Sequence, residues 1–227
     1  MKTGIHQRTF AALLGATILV TGCATTGDDL PAVTSDGLTR IESKNVDAVY
    51  WQEGATLAGY NAIAIAEAPV SFRKNWMRDF NRDQMSLGNR VRESDMERIK
   101  AELSEAFQSE FSKVLTDRGY AVVDRTGDDV LLLRPAIVDL DVTAPDLRSA
   151  TRTTTFVADP GQMTLYMEFY DSVTGDKIGE VADRQRGRDW GTLQWSNSAS
   201  NRAEANRILR RWADLLADAL DAAHNRD

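Results

Sequence analysis

The chain has 227 residues, 42% hydrophobic and 27% charged, with 15 Gly, 5 Pro, one Cys and two His. That length supplies a core for one or two globular domains, and the ordinary composition excludes a fibrous, collagen-like or wholly disordered chain. A single Cys excludes an internal disulfide framework and a four-cysteine zinc cluster. The 27 basic and 34 acidic residues, net −7, argue against nucleic-acid binding through a basic surface.

The N-terminus reads as a leader. Lys2 and Arg8 form a positive start, and Phe10 to Val20 is uncharged. A helix that crosses a bilayer needs about 20 apolar residues, so this stretch fits the hydrophobic segment of a secretory signal instead. It ends Leu19-Val20-Thr21-Gly22-Cys23, the form of a bacterial lipobox. Small residues at Thr21 and Gly22 admit the peptidase, and the Cys23 thiol takes the diacylglycerol. Cleavage between Gly22 and Cys23 then makes Cys23 the acylated N-terminus, and two or more acyl chains anchor a protein stably. Ala24 follows, where an Asp would signal inner-membrane retention, so the expected address is the outer membrane, facing the periplasm. Without the leader, 25 basic and 34 acidic residues remain over 205, a net charge of −9. Anionic head groups repel such a body.

Residues 1–22 are thus expected to be the signal peptide, 23–40 the lipidated Cys and a flexible tether, and 41–227 one domain. Ala24 to Arg40 is rich in Thr, Gly, Asp and Pro. As a coil it spans on the order of 20–25 Å. Tyr60 to Phe72, with Ile63 and Ile65 in alternation, predicts a strand. Arg73 to Arg92 predicts at most a short helix. Ser94 and Glu97 have the spacing of a capping box at the head of a helix whose apolar positions run to Leu115, with Gly119 as its stop. A short strand follows at Tyr120 to Asp124 and a longer one at Val130 to Val142, where Pro135 implies a bulge or a sheet edge. Gln162 to Asp171 alternates strictly, with Met163, Leu165, Met167 and Phe169 on one face and Tyr166, Glu168 and Tyr170 on the other. Gly175 sits in a hairpin turn that leads into a partner strand from Lys177 to Arg188. Asn201 to His224 predicts the last helix, with Asn201 and Glu204 at its start. The fold class is α+β, a mainly antiparallel sheet with two amphipathic helices on one face.

Most catalytic chemistry fails on composition. His6 leaves with the leader and His224 lies near the C-terminus, which leaves no well-placed imidazole for a nucleophilic triad or a zinc hydrolase. Neither a phosphate-binding loop of the GxxxxGK[ST] kind nor a GxGxxG follows a strand. Asp139 and Asp141, two apart on a strand, are read first as a solvated face; the alternatives are a cation site or a glycosidase-like pair. Asp124, Asp128 and Asp129 are read as turn residues. Arg184, Arg186 and Arg188 alternate on the returning strand. Their simplest role is cross-strand pairing with carboxylates. The alternative is to grip a phosphate, a head group or an acidic partner. Trp190 and Trp195 either pack under a helix or add to a binding face.

The segments together resemble the bacterial lipoprotein family known by its domain of unknown function 3313 (DUF3313). The resemblance rests on Gly59-Tyr60 leading into the Ile63/Ile65 strand and Pro69, and on the Leu103 to Gly119 helix. The Asp129-Val-Leu-Leu-Leu strand, the Asp171 to Gly175 hairpin and Trp212-Ala-Asp-Leu-Leu complete it. It implies no catalytic residues. The expectation is a non-catalytic envelope lipoprotein that needs no cofactor and no metal, anchored to the membrane through Cys23. It would bind a protein or cell-wall partner on a helix-free sheet face holding Tyr166, Glu168, Tyr170, Arg184, Arg186 and Arg188. The alternative is a carboxylate-based hydrolase of envelope glycans built on Asp139 and Asp141.

Overall fold

The computed structural model describes residues 30–82, 84–85, 90–142, 155–156, 161–186, 195–196 and 198–225. The chain divides into two units, Met1–Pro31 and Ala32–Asp227. In the second unit the order is β1 (Thr39–Ile41), β2 (Ala48–Trp51), β3 (Ala62–Ile65), β4 (Val70–Phe72), α1 (Trp76–Arg82) and α2 (Glu93–Asp117). Then come β5 (Ala121–Val122), β6 (Val130–Asp141), β7 (Thr155–Phe156), β8 (Gln162–Asp171), β9 (Lys177–Arg186), β10 (Trp195–Ser196) and α3 (Ser198–Ala223).

The main sheet runs β1-β2-β9-β8-β6-β3-β5, with β4 also on β6, while β7 and β10 pair separately. Pairing is antiparallel from β1 through β6 and parallel where β3, β4 and β5 join. The mainly antiparallel α+β expectation therefore holds, with a parallel flank added. Alternation on β8 is as the sequence reads: Met163, Leu165, Met167 and Phe169 are all buried. They join Phe107 and Phe111 of α2 and Leu209 and Leu220 of α3 in one core, which puts both long helices on the same face.

The predicted strand from Tyr60 to Phe72 is two strands, and Pro135 accounts for the break. The carbonyl of Leu133 accepts from Ala66 N–H, and Ile137 N–H donates to the Pro69 carbonyl, so these residues of β6 address the β3/β4 side. Alternation aims the nitrogen of Pro135 at the same side, and that nitrogen carries no hydrogen. The neighbouring chain leaves the ladder there, between Ile65 and Val70. Pro135 therefore sits in a central strand rather than at an edge, paired with Met167 across β8.

Helix starts also differ from expectation. α2 begins at Glu93, where Asp95 Oδ2 accepts the backbone N–H of Arg92 at 3.0 Å, so Ser94 and Glu97 lie inside the helix and do not cap it. α3 begins at Ser198, which places Asn201 and Glu204 within it, and Glu204 pairs with Arg207 instead. The stop at Gly119 is as predicted. Its φ is +86°, its N–H reaches the Thr116 carbonyl, and Tyr120 N–H reaches Leu115. These two bonds close a Schellman motif.

The expected domain start at residue 41 needs correction. Residues 32–40 form a tight turn of their own, in which Thr34 N–H meets the Leu38 carbonyl and Arg40 N–H meets Ala32. Leu38 is 2% exposed and packs with Ala48 and Tyr50. Polar composition hid this. One buried leucine, a glycine at φ +87° and an ion pair from Asp36 to Lys177 tie the turn onto the open sheet face.

Candidate functional site

The Asp139/Asp141 pair does not share one strand face. Pairing jumps from Val138↔Thr164 to Asp141↔Gln162, so β6 carries an extra residue there. Asp139, at φ +53°, is that bulge residue. Asp141 is committed to Arg73, whose Nε lies 2.6 Å from Oδ2. Arg73 also binds Asp79, and the two carboxylates push its guanidinium further up from an already high pKa. The Asp124–Asp129 segment is turn chemistry, with both oxygens of Asp129 on Arg125 at 3.1 Å. Among the described residues, no three His, Cys, Asp or Glu side chains cluster as metal ligands. His224 is better placed than its position near the C-terminus suggests. Its Nδ1 lies 2.8 Å from the Leu220 carbonyl, and its ring packs on Tyr120.

On the helix-free face the predicted partner residues separate into two groups. Tyr166, Glu168 and Tyr170 are bonded inward. Tyr166 Oη donates to Glu180 at 2.6 Å, and Tyr170 Oη donates to Glu168 at 3.1 Å. Arg134 stands 5.3 Å over the Tyr170 ring. Lys177 gathers Asp36, Glu168 and Glu180 at 2.7, 3.2 and 2.5 Å. Burial works against its charge, yet the three carboxylates outweigh it and hold the ammonium well above the usual lysine range. Burial, then the bond to Glu180, raises the Tyr166 phenol far above its ordinary value.

Arg184 and Arg186 form the second group, and both are exposed. Their cross-strand neighbours are Thr164 and Gln162 rather than carboxylates. Arg186 Nε donates to Gln162 Oε1 at 3.2 Å, and among the described residues neither arginine makes an ion pair. Across the β8–β9 ladder, then, neither arginine faces a carboxylate. Cys23, Gly22, Arg188 and Trp190 lie outside the described residues, and Trp195 belongs to β10.

The residue between these arginines' alternation and the core escaped sequence reading. Asp183 is 2% exposed on the helix side. Its Oδ2 accepts from Trp212 Nε1 at 2.7 Å, Gln185 Nε2 at 2.8 Å and Arg211 Nη1 at 3.2 Å. Its Oδ1 accepts from Asp47 N–H at 3.3 Å. A buried carboxylate is tolerated because donors surround it. The available signal was its spacing, one residue off the arginine stripe and so on the core face.

Next to this clasp is a cavity of about 460 Å³ that the sequence did not announce. Leu165, Met167 and Phe169 of β8, with Trp212, line it together with Val49 and Trp51 of β2 and Val181 of β9. Leu215, Leu216, Ala219 and Ala223 continue the apolar stripe of α3 along it. Ser43, Asn45 and Thr56 are its polar lining, and all three are exposed. The Trp51 indole donates to the Ala55 carbonyl at 3.1 Å and lies 5.4 Å from the Phe169 ring. The size is that of a small-molecule pocket. None of the described helices is long and apolar enough to cross a membrane.

Several solved structures resemble the fold. A neuraminyllactose-binding hemagglutinin homolog from Helicobacter pylori is 13% identical, with 77% of this chain and 94% of that one covered and a TM-score of 0.37. The PelC dodecamer from Paraburkholderia phytofirmans is 12% identical over 72% and 96%, with a TM-score of 0.36. A minor lipoprotein from Acinetobacter baumannii is 9% identical over 73% and 94%, with a TM-score of 0.32. At these scores no functional argument follows from them. No curated protein matches the sequence. The family model described as a protein of unknown function (DUF3313) matches residues 31–216, from the N-terminal turn into α3, and the chain belongs to that family.

Proposed function

We propose that the protein is a bacterial envelope lipoprotein, anchored through Cys23 in the outer membrane, whose periplasmic domain is a non-catalytic binding module for a protein or cell-wall partner. The observation that carries the reading is the run Leu19-Val20-Thr21-Gly22-Cys23, holding the chain's one Cys at the end of its uncharged N-terminal stretch. The exposed pair Arg184 and Arg186 supports the binding role. In a domain this acidic, two guanidiniums that meet no carboxylate among the described residues offer a ready contact for an acidic partner. The commitment of Asp141 to Arg73 weighs against the hydrolase alternative.

Two experiments test this reading. Cys23→Ala should abolish incorporation of radiolabelled palmitate and release the chain from the membrane fraction; labelling that persists would refute the anchor. Charge reversal of Arg184, Arg186 and Arg188 should remove the crosslinked partner from whole cells without changing the melting temperature. An unchanged set of crosslinks would refute the binding face.

A further inference from the structure

We propose that the cavity between β2, β8, β9 and α3 is a binding site for one aliphatic acyl chain. This inference does not depend on the anchor or on the arginine face. The lining holds no Asp, Glu, Lys, Arg or His. A charged group drawn inside would be uncompensated, so the part of the ligand that enters is neutral. The polar lining residues Ser43, Asn45 and Thr56 are neutral and exposed, which leaves the polar end of the ligand at the rim, in water.

Side-chain choice leaves the space open. Ala55, Ala219 and Ala223 stand at three wall positions where a larger apolar residue would fill it. Gly179 has no side chain to lift Trp51 off β9. The Trp51 and Phe169 rings are already tilted against each other at 57°. Much of the remaining wall is Val, Leu, Met and Ala, which suits methylene groups better than a planar ligand. The strands and the helix that frame the cavity are paired and packed, so the site is formed before a ligand arrives.

The test uses the full chain carrying Cys23→Ala, so that it brings no acyl group of its own. Trp51 and Trp212 both line the cavity, so a brominated chain inside it quenches their fluorescence. Titration with 9,10-dibromostearic acid below its aggregation threshold should quench in a saturable, one-to-one manner, and plain stearic acid should reverse it. Ala219→Trp fills the cavity from an exposed helix position and should weaken binding by about tenfold or more. Ala222→Trp, exposed on the same helix but outside the lining, should leave it unchanged. Thermal melts of both variants establish that they fold. A parallel titration with a brominated lysophospholipid separates the sources: quenching by the fatty acid alone assigns a free acid, and quenching by both assigns the chain whatever its head group. Absence of saturable quenching by either, or equal quenching in Ala219→Trp, would overturn the proposal. So would binding of the planar probe N-phenyl-1-naphthylamine without binding of stearate.

Discussion

The indole of Trp51 lies directly over Gly179, its register partner on the neighbouring strand. A Cβ built at residue 179 would overlap the ring at Cε3 and Cζ3, with ring atoms fixed by the bond from Trp51 to Ala55 and by Phe169. Gly179→Ala should therefore cost about 1–3 kcal/mol through overpacking, read as a lower melting temperature. The double variant with Trp51→Ala should fall short of the sum of the two single effects. Additive losses would show that the two residues do not touch.

Asp183 concentrates donors from β9, α3 and the segment before β2. Asp183→Ala leaves the buried Trp212 N–H without its acceptor and Arg211 with only the Asn45 carbonyl, at a cost of about 2–4 kcal/mol. Asp183→Asn keeps an acceptor for Trp212 and should cost less. Trp212→Phe removes one donor from a carboxylate that retains others, and about 1–2 kcal/mol is expected. Urea unfolding of the three variants checks the order.

Asp139 is in the left-handed region because the bulge of β6 requires it. Gly pays nothing for that conformation, whereas a β-branched residue pays about 1–2 kcal/mol. Asp139→Gly should be as stable as the natural chain and Asp139→Val measurably less so. If Asp139→Val proves neutral by calorimetry, the bulge does not hold this residue at positive φ.

How far these sites were legible in advance follows from what period-two and helical patterns record. Met163, Leu165, Met167 and Phe169 announced their burial because one face of β8 is uniformly apolar. Pro135 announced a disturbed ladder, but whether the strand was central depended on pairings that join residues about 70 positions apart in sequence. Arg184 and Arg186 were visible as a stripe, yet that Thr164 and Gln162 rather than acids oppose them is a matter of register. Leu38 failed the test altogether, since one buried leucine in a polar run leaves no period. The cavity was least legible of all. Leu215, Ala219 and Ala223 look like the rest of an apolar helix stripe, and only the folded chain brings them opposite Val49, Trp51 and Ala55.

The β8–β9 hairpin is expected to lose stability in acid. Asp171 accepts the backbone N–H groups of Thr174 and Val173 at 2.8 and 2.9 Å and the hydroxyl of Tyr60 at 3.1 Å. The Thr174 amide foremost, then Val173 and Tyr60, holds its carboxyl below the usual range despite burial. On the other side of that bond, burial and Asp171 push the Tyr60 phenol up to about 12. A depressed carboxylate contributes stability that is complete above the unfolded value of about 3.9 and fades as pH falls through the folded one. Asp171→Asn should flatten the acid limb of the stability curve, measured by denaturant midpoints from pH 6 to 2. An unchanged limb would assign the acid loss to other carboxylates.

The turn at residues 32–40 also decides how the domain meets mechanical load. Any tension on the chain arriving from Pro31 is received by the bond between Arg40 N–H and the Ala32 carbonyl, by the Thr34–Leu38 pair and by the Asp36–Lys177 ion pair. Behind them stands β1, an edge strand with three paired residues. Pulled from this end, the antiparallel pairs open one after another, as in a zipper, instead of sharing the force. Extraction of Leu38 is the first step that exposes apolar surface. Under such a load the outer border of the sheet is expected to open before the central strands β6, β8 and β9 do.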